Sequence, residues 1–262
     1  MFTTINGYKF YYHESGIEKT NKTPILFIHG LGSSTLDWEQ QIPFFEQHYK
    51  VFSIDLRGHG KTEGTEGKYS IPLFAEDIAS FLMDRKIKVH IIAISMGGMI
   101  AFQLAADHPI LVKSMVIINS SVELLMDNPK VRKGIRFRKI LPRIVGMKRM
   151  GRMLGKKVFP YENQTELREL IAARWATNPI KDYIKSVTAL AGWTIKNRLH
   201  EINCSILVVG AENDYSTEAE KQEYTDLLSN ASLIIVPNTG HAISMEKPTV
   251  LNPIIFNFLE NK

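Results

Sequence analysis

A serine set among small residues, Ala93-Ile94-Ser95-Met96-Gly97-Gly98, closes an apolar, β-branched run from Val89 to Ile94. A serine hydroxyl is a poor nucleophile at neutral pH and needs a base within hydrogen-bond reach, itself oriented by an acid. His241 is placed to be that base, because Asn238-Thr239-Gly240-His241 follows the apolar run Ile234-Ile235-Val236. Asp214 is placed to be the acid, because it follows Leu207-Val208-Val209-Gly210 by a few residues. All three follow strand-like runs, in the chain order Ser95, Asp214, His241.

That chemistry also needs donors for a developing oxyanion. The Met96 N–H, at the start of a helix, is one candidate. The Leu31 N–H is the other, in the loop His29-Gly30-Leu31-Gly32-Ser33-Ser34, where Gly30 and Gly32 let the backbone turn towards the serine. His29 is read as a hydrogen-bonding residue of that loop. Asp55, Arg57 and His59 are read as a strand-ending turn with surface ion pairs. The other histidines lack metal-ligand spacing, and no Gly-Lys-Ser/Thr follows the first glycine loop, so neither a metal site nor a phosphate loop is expected. No cofactor is expected either.

Elements must bring these residues together. A hairpin is expected from 2–5 and 9–13, turning through Asn6-Gly7 in a type I′ turn, followed by a polar loop at 15–23. Strands are expected at 24–29, 50–55, 89–94, 112–119, 205–210 and 232–237, and helices at 36–47, 71–84, 99–106, 217–228 and 249–260. A strand that becomes a helix within about one residue forces Ser95 into strained backbone geometry, the mechanics of a nucleophile elbow. Alternating strands and helices predict a mostly parallel central sheet flanked by helices, an α/β fold with ligands at the strands' C-terminal edge. From 122 to 198 the pattern turns helical. This predicts a helical cap inserted into a core domain of 1–121 and 199–262, lying over that edge as a lid.

Composition narrows the class further. The 262 residues are 44% hydrophobic and 23% charged, which suits one large globular α/β unit with an insertion. No apolar run is long enough to span a bilayer. The opening residues lack the pattern of a secretory signal, and a single cysteine, Cys204, suits a reducing compartment, so the cytoplasm is the expected location. Cys204 itself is read as a small buried apolar residue. Between Asn128 and Tyr161 stand twelve Lys or Arg and no Asp or Glu; taking those from the net +5 leaves −7 for the rest. Basicity is therefore local, and nucleic acid is not an expected partner.

Taken together, His29-Gly30-Leu31-Gly32, Trp38, Asp55-Leu56-Arg57-Gly58-His59-Gly60, Ser95-Met96-Gly97-Gly98, Asp214 and Gly240-His241 resemble the α/β-hydrolase fold family, in its esterase-like group with a helical cap. The resemblance spans nearly the whole chain and is weakest in the cap. It implies a Ser95–His241–Asp214 triad, a Leu31/Met96 oxyanion hole and an acyl-enzyme mechanism without cofactor. Ala93 stands where that family usually has glycine, and Ile94 where many members carry histidine.

The expected activity is a serine carboxylesterase acting on small to medium apolar acyl esters. Lactonase, thioesterase and carbon–carbon bond hydrolase activities use the same triad. A ligand-binding receptor or regulator with slow turnover is the alternative from another class. Gly30, Ile94, Met147, Trp175 and Ala242 are the expected pocket residues, with Met147, Met150, Met153, Trp175 and Trp193 offering adaptable apolar surface. Ile144, Met147, Gly151, Leu154 and Val158 fall at helical spacing among basic residues. That basic face is either solvated, or rests on anionic membrane surface, or guides acidic substrates.

Overall fold

The computed structural model describes residues 1–17 and 21–262, so residues 18–20 of the expected 15–23 loop lie outside the described residues. Ser15 and Gly16 are not loop; they end a strand. The strands are β1 (Phe2–Ile5), β2 (Tyr8–Gly16), β3 (Ile25–Ile28), β4 (Lys50–Ile54), β5 (Val89–Ile94), β6 (Val112–Ile118), β7 (Ser205–Ala211) and β8 (Ala231–Val236). They form one sheet in the order β1-β2-β4-β3-β5-β6-β7-β8. β2 runs antiparallel to β1 and β4, and every pair from β4 to β8 is parallel. Asn6 and Gly7 both take positive φ (51° and 82°), the type I′ geometry that sets the Ile5–Tyr8 register.

Both faces of the central strands are covered, which is why β3, β5, β6 and β7 read as nearly continuous apolar runs. Leu26, Ile28, Ile91, Ala93, Met115 and Ile117 face a core completed by α2 (Ile71–Arg85) and α3 (Met96–Asp107). Ile25, Phe27, Ile92, Ile94, Val116 and Ile118 face a second core with Trp38, Phe45 and α9 (Pro248–Glu260). The chain leaves β3 towards β4 on one side and returns to β5 on the other. The C-terminal ends of β3 and β5 are therefore a switch point, where open α/β sheets leave a crevice.

The expected helix at 36–47 is broken into a 3₁₀ turn, Thr35–Trp38, and α1 (Ile42–Phe45). A continuous helix would place Pro43, which has no N–H, in its interior. The buried Gln41 side chain instead donates to the Ser244 carbonyl and Asn252 Oδ1, both at 3.0 Å. Between β6 and β7 the chain makes a helical excursion: α4 (Pro129–Val158), α5 (Thr165–Ala176) and α6 (Ile180–Leu190). Its two ends are stitched together, Leu124 N–H to Trp193 O at 2.8 Å and Ile195 N–H to Val122 O at 2.9 Å. Helix α7 (Glu218–Asp226) follows β7, and α8 (Ile243–Glu246) follows β8.

α4 bends at Gly146 (φ 76°, ψ 164°), which shifts the phase of its apolar face. Met147, Gly151, Leu154 and Val158 are buried as their spacing predicts, but Ile144, on the other side of the bend, is 74% exposed. Close packing of α4 on α5 fixes the second half, since a Cβ on Gly151 would come within 2.8 Å of Ala172 Cα. Among the described residues, no helix is long and apolar enough to cross a membrane.

Candidate active site

β5 ends and α3 begins with only Ser95 between them, and that serine takes φ 56° and ψ −121°. Backbone geometry of this kind costs a non-glycine residue on the order of 1–3 kcal/mol, so the surroundings must impose it. They do so through both peptide groups: the Ser95 N–H donates to Ile118 O at 2.9 Å, and its carbonyl accepts from Ser120 Oγ at 2.7 Å. Gly97 permits the tight turn, because a Cβ there would lie 2.3 Å from the Ile28 carbonyl oxygen. Ala93, in place of a glycine, is fully buried in the sheet without disturbing its pairing to Ile28 and Ile117.

Asp214 and His241 meet beyond the ends of β7 and β8. His241 Nδ1–H donates to Asp214 Oδ1 at 2.5 Å, leaving Nε2 as the ring's proton acceptor. The two loops are locked by backbone bonds, Asn213 N–H to Thr239 O and His241 N–H to Val158 O, each 3.0 Å. Asn119, at the end of β6, ties them to the sheet: its Oδ1 accepts from Ala211 N–H at 2.7 Å and its Nδ2 donates to His241 O at 2.8 Å.

The second carboxylate oxygen of Asp214 is also occupied. Lys221, fully buried on α7, places Nζ 2.8 Å from Asp214 Oδ2 and also donates to Ser216 O (2.6 Å) and Ser216 Oγ (2.8 Å). All three ammonium donors are thus satisfied. Gly210 makes room for the lysine stem, since a Cβ there would meet Lys221 Cδ at 2.7 Å. Burial pushes the Asp214 carboxyl upward, but the charges and hydrogen bonds of His241 and Lys221 outweigh it and hold the group well below the usual carboxylate range.

One cavity of about 690 Å³ collects Ser95, Asp214 and His241. Leu31, Met96, Gly30, Ile94, Trp175 and Ala242 line it as well. Neither the Leu31 nor the Met96 N–H donates to a backbone carbonyl among the described residues, so both remain available to a ligand oxygen. Met147 does not line the cavity: beyond the Gly146 bend its side chain is turned into the apolar core, 5% exposed. Met150 and Trp193 are core too, the Trp193 Nε1–H donating to Gln103 Oε1 at 3.0 Å, while Met153 is half exposed. Cys204 is only partly buried at the edge of the main core, and its burial pushes the thiol up to about 11.

His29 lies behind the cavity wall. Its Nε2 accepts from Leu56 N–H at 3.0 Å and its Nδ1–H donates to Gly30 O at 2.8 Å, while burial lowers its pKa to about 4. It is a neutral strut for the glycine loop. Arg57 does not make the surface ion pair its position suggested. It forms a two-point pair with Asp77 at 2.6 and 2.5 Å, with both side chains buried. Asp55 is likewise buried and accepts from the Thr35 and Lys61 backbone N–H groups, each at 2.7 Å.

The sequence reading missed Lys221, Asn119, Tyr215 and Arg138. Lys221 had a signal: with Tyr224, Thr225 and Leu228 it falls at i, i+3, i+4 and i+7, and all four are buried. Among the described residues, no group of three or more His, Cys, Asp or Glu side chains could hold a metal ion.

A parallel sheet covered on both faces, carrying a strained serine on its central strand, defines the architecture of α/β hydrolases. The chain belongs to the alpha/beta hydrolase fold family, whose model matches residues 23–248. It is 24% identical over 239 residues to the 3-oxoadipate enol-lactonase 2 of Acinetobacter baylyi, covering 89% of this chain and 87% of that one. The enol-lactonase of Burkholderia xenovorans LB400 superimposes with a TM-score of 0.91 at 20% identity, covering 99% of this chain and all of the other. Est816, described as an N-acyl homoserine lactone degrading enzyme, superimposes at 0.84 with 28% identity, covering 98% and 100%.

Proposed function

We propose that this chain is a serine hydrolase cleaving carboxylic ester bonds, open-chain or lactone, through an acyl-enzyme intermediate. The carrying observation is the His241–Asp214 hydrogen bond facing the same cavity as a serine held at φ 56°. In this reading His241 Nε2 takes the Ser95 proton as Oγ attacks the carbonyl carbon, then returns it to the departing alkoxide. The Leu31 and Met96 N–H groups receive the oxyanion. Water, deprotonated by the same imidazole, then releases the acid and restores Ser95. Asp214, held ionised by Lys221, keeps the imidazole in the right tautomer and stabilises its protonated form.

Lactone cleavage is favoured among the alternatives by the relatives, an enol-lactonase and a homoserine-lactone degrading enzyme. The helices of the 129–190 excursion supply Arg138, Val158 and Trp175 to the cavity wall, and we propose that they act as its lid. We also propose that the outer face of α4 contacts anionic membrane surface, because Ile140 and Ile144 are exposed at helical spacing among its basic residues.

A panel of p-nitrophenyl esters, thioesters and lactones of graded acyl length tests the assignment. Turnover of esters and lactones is expected, with Ser95→Ala losing at least about a thousandfold in kcat while keeping its circular dichroism. Undiminished turnover by the alanine variant would refute it.

A further inference from the structure

Among the described residues, Arg138 is the one guanidinium in the wall of the Ser95 cavity. It reaches two tyrosine hydroxyls, donating from Nη1 to Tyr183 Oη at 3.3 Å and from Nη2 to Tyr215 Oη at 3.5 Å. Among the described residues, no carboxylate lies within 4.0 Å of it. An arginine carries five N–H donors in a planar fork. Two neutral, long hydrogen bonds leave three donors and the whole charge uncommitted.

Its place relative to the chemistry is set by Tyr215. That ring lies against the His241 imidazole, centroids 4.5 Å apart, and the guanidinium carbon is 5.8 Å from the same ring. The cation therefore stands one aromatic ring away from the base. Its partners Tyr183 and Tyr215 offer hydroxyls that orient the fork without neutralising it. The wall's carboxylates do not answer it. Asp214 is taken by His241 and Lys221, Lys196 pairs with both Glu123 and Glu223, Asp37 lies 3.9 Å from Arg174, Glu220 accepts from Thr217, and Asp127 lies within 4.0 Å of no cation among the described residues.

A half-buried cation without a counter-ion is costly unless a ligand supplies one, and a guanidinium fork matches a carboxylate at two points. We propose that Arg138 binds a free carboxylate on the substrate, so that the preferred substrate is an ester or lactone bearing a second, ionised carboxylate away from the scissile carbonyl. This rests on the assignment of Ser95 as nucleophile and adds to it the substrate's charge.

The test pairs two esters of matched length, p-nitrophenyl valerate and the mono-p-nitrophenyl ester of glutaric acid, which differ in a terminal methyl against a carboxylate. The wild type should favour the glutarate ester in kcat/KM. Arg138→Met should cost that ester about 10- to 100-fold more than it costs the valerate ester, chiefly in KM. Arg138→Lys should recover part of the loss, since it keeps charge but not the fork. Lys148→Gln, an exposed basic change on the same helix, should alter neither ester.

Equal losses on both esters in Arg138→Met, or no preference for the carboxylate in the wild type, would overturn the proposal while leaving the Ser95 assignment standing. Should neither ester turn over, the Ser95 assignment is what fails. Calorimetric titration of glutarate into Ser95→Ala then reads the carboxylate site alone. Binding that weakens at least about tenfold on adding Arg138→Met supports the site. Unchanged or absent binding overturns it.

Discussion

The sheet edge and helix α4 treat charge in opposite ways. At the edge, buried charges are partnered: Asp214 is shared between His241 and the buried Lys221, and the buried Arg57 is gripped by Asp77 at two points. On α4 and the residues around it, twelve Lys or Arg stand between Asn128 and Tyr161. Among the described residues, only Arg152 of these makes an ion pair, with Glu169 at 2.8 Å. Partnered charges in a buried frame hold geometry, as a base and its orienting acid require. Unpartnered charges at the cavity wall and outer surface are free to meet something else. Under the proposed function, the first region serves the reaction and the second meets what is brought to it.

The largest departure from that contrast should come from breaking a partnered charge. Lys221→Met leaves Asp214 buried with only the His241 and Ser216 hydrogen bonds, and should lower stability by about 3–5 kcal/mol, read by urea denaturation. The pH dependence follows with a definite sign. An Asp214 no longer neutralised by lysine favours the protonated imidazole, so the acid limb of kcat/KM should move about one unit to higher pH. In the wild type the depressed Asp214 pKa gives stability that is complete above the ordinary aspartate range and is lost only as pH falls through the depressed value. A Lys221→Met profile superimposable on the wild type would mean the buried pair does nothing for the base.

Removing unpartnered charge should do far less to the protein itself. Replacing Arg136, Arg143 and Lys148 by Gln should leave unfolding and soluble-ester turnover almost unchanged. Cosedimentation with vesicles of phosphatidylglycerol and phosphatidylcholine should weaken by about tenfold or more, at about 1 kcal/mol for each basic residue near the surface. No binding of the wild type to such vesicles at physiological salt would remove the membrane from the description of this face.

The same contrast explains what could be read from sequence. β3, β5, β6 and β7 were legible because burial on both faces makes each an unbroken apolar run. Ser95 and Asp214 were legible because each follows such a run, and His241 because it follows the half-buried edge strand β8. Local pattern failed where distant partners decide. Gln41 ends the first turn by reaching Asn252, and nothing near it in the chain announces that. Lys221 shows no counter-ion at helical spacing, because Asp214 sits in the loop before its helix. Met147 and Ile144 were placed on one stripe, and the Gly146 bend separated them into core and surface. Arg138 was one basic residue in twelve until the fold put it beside Tyr215.

The central claim is that Ser95 is the nucleophile, and covalent labelling tests it without knowledge of the substrate. After treatment with a fluorophosphonate probe, peptide mass spectrometry should find the adduct on Ser95 alone, and Ser95→Ala should remain unlabelled. An adduct on Ser33 or Ser121, which line the same cavity, with Ser95 unmodified, would contradict it.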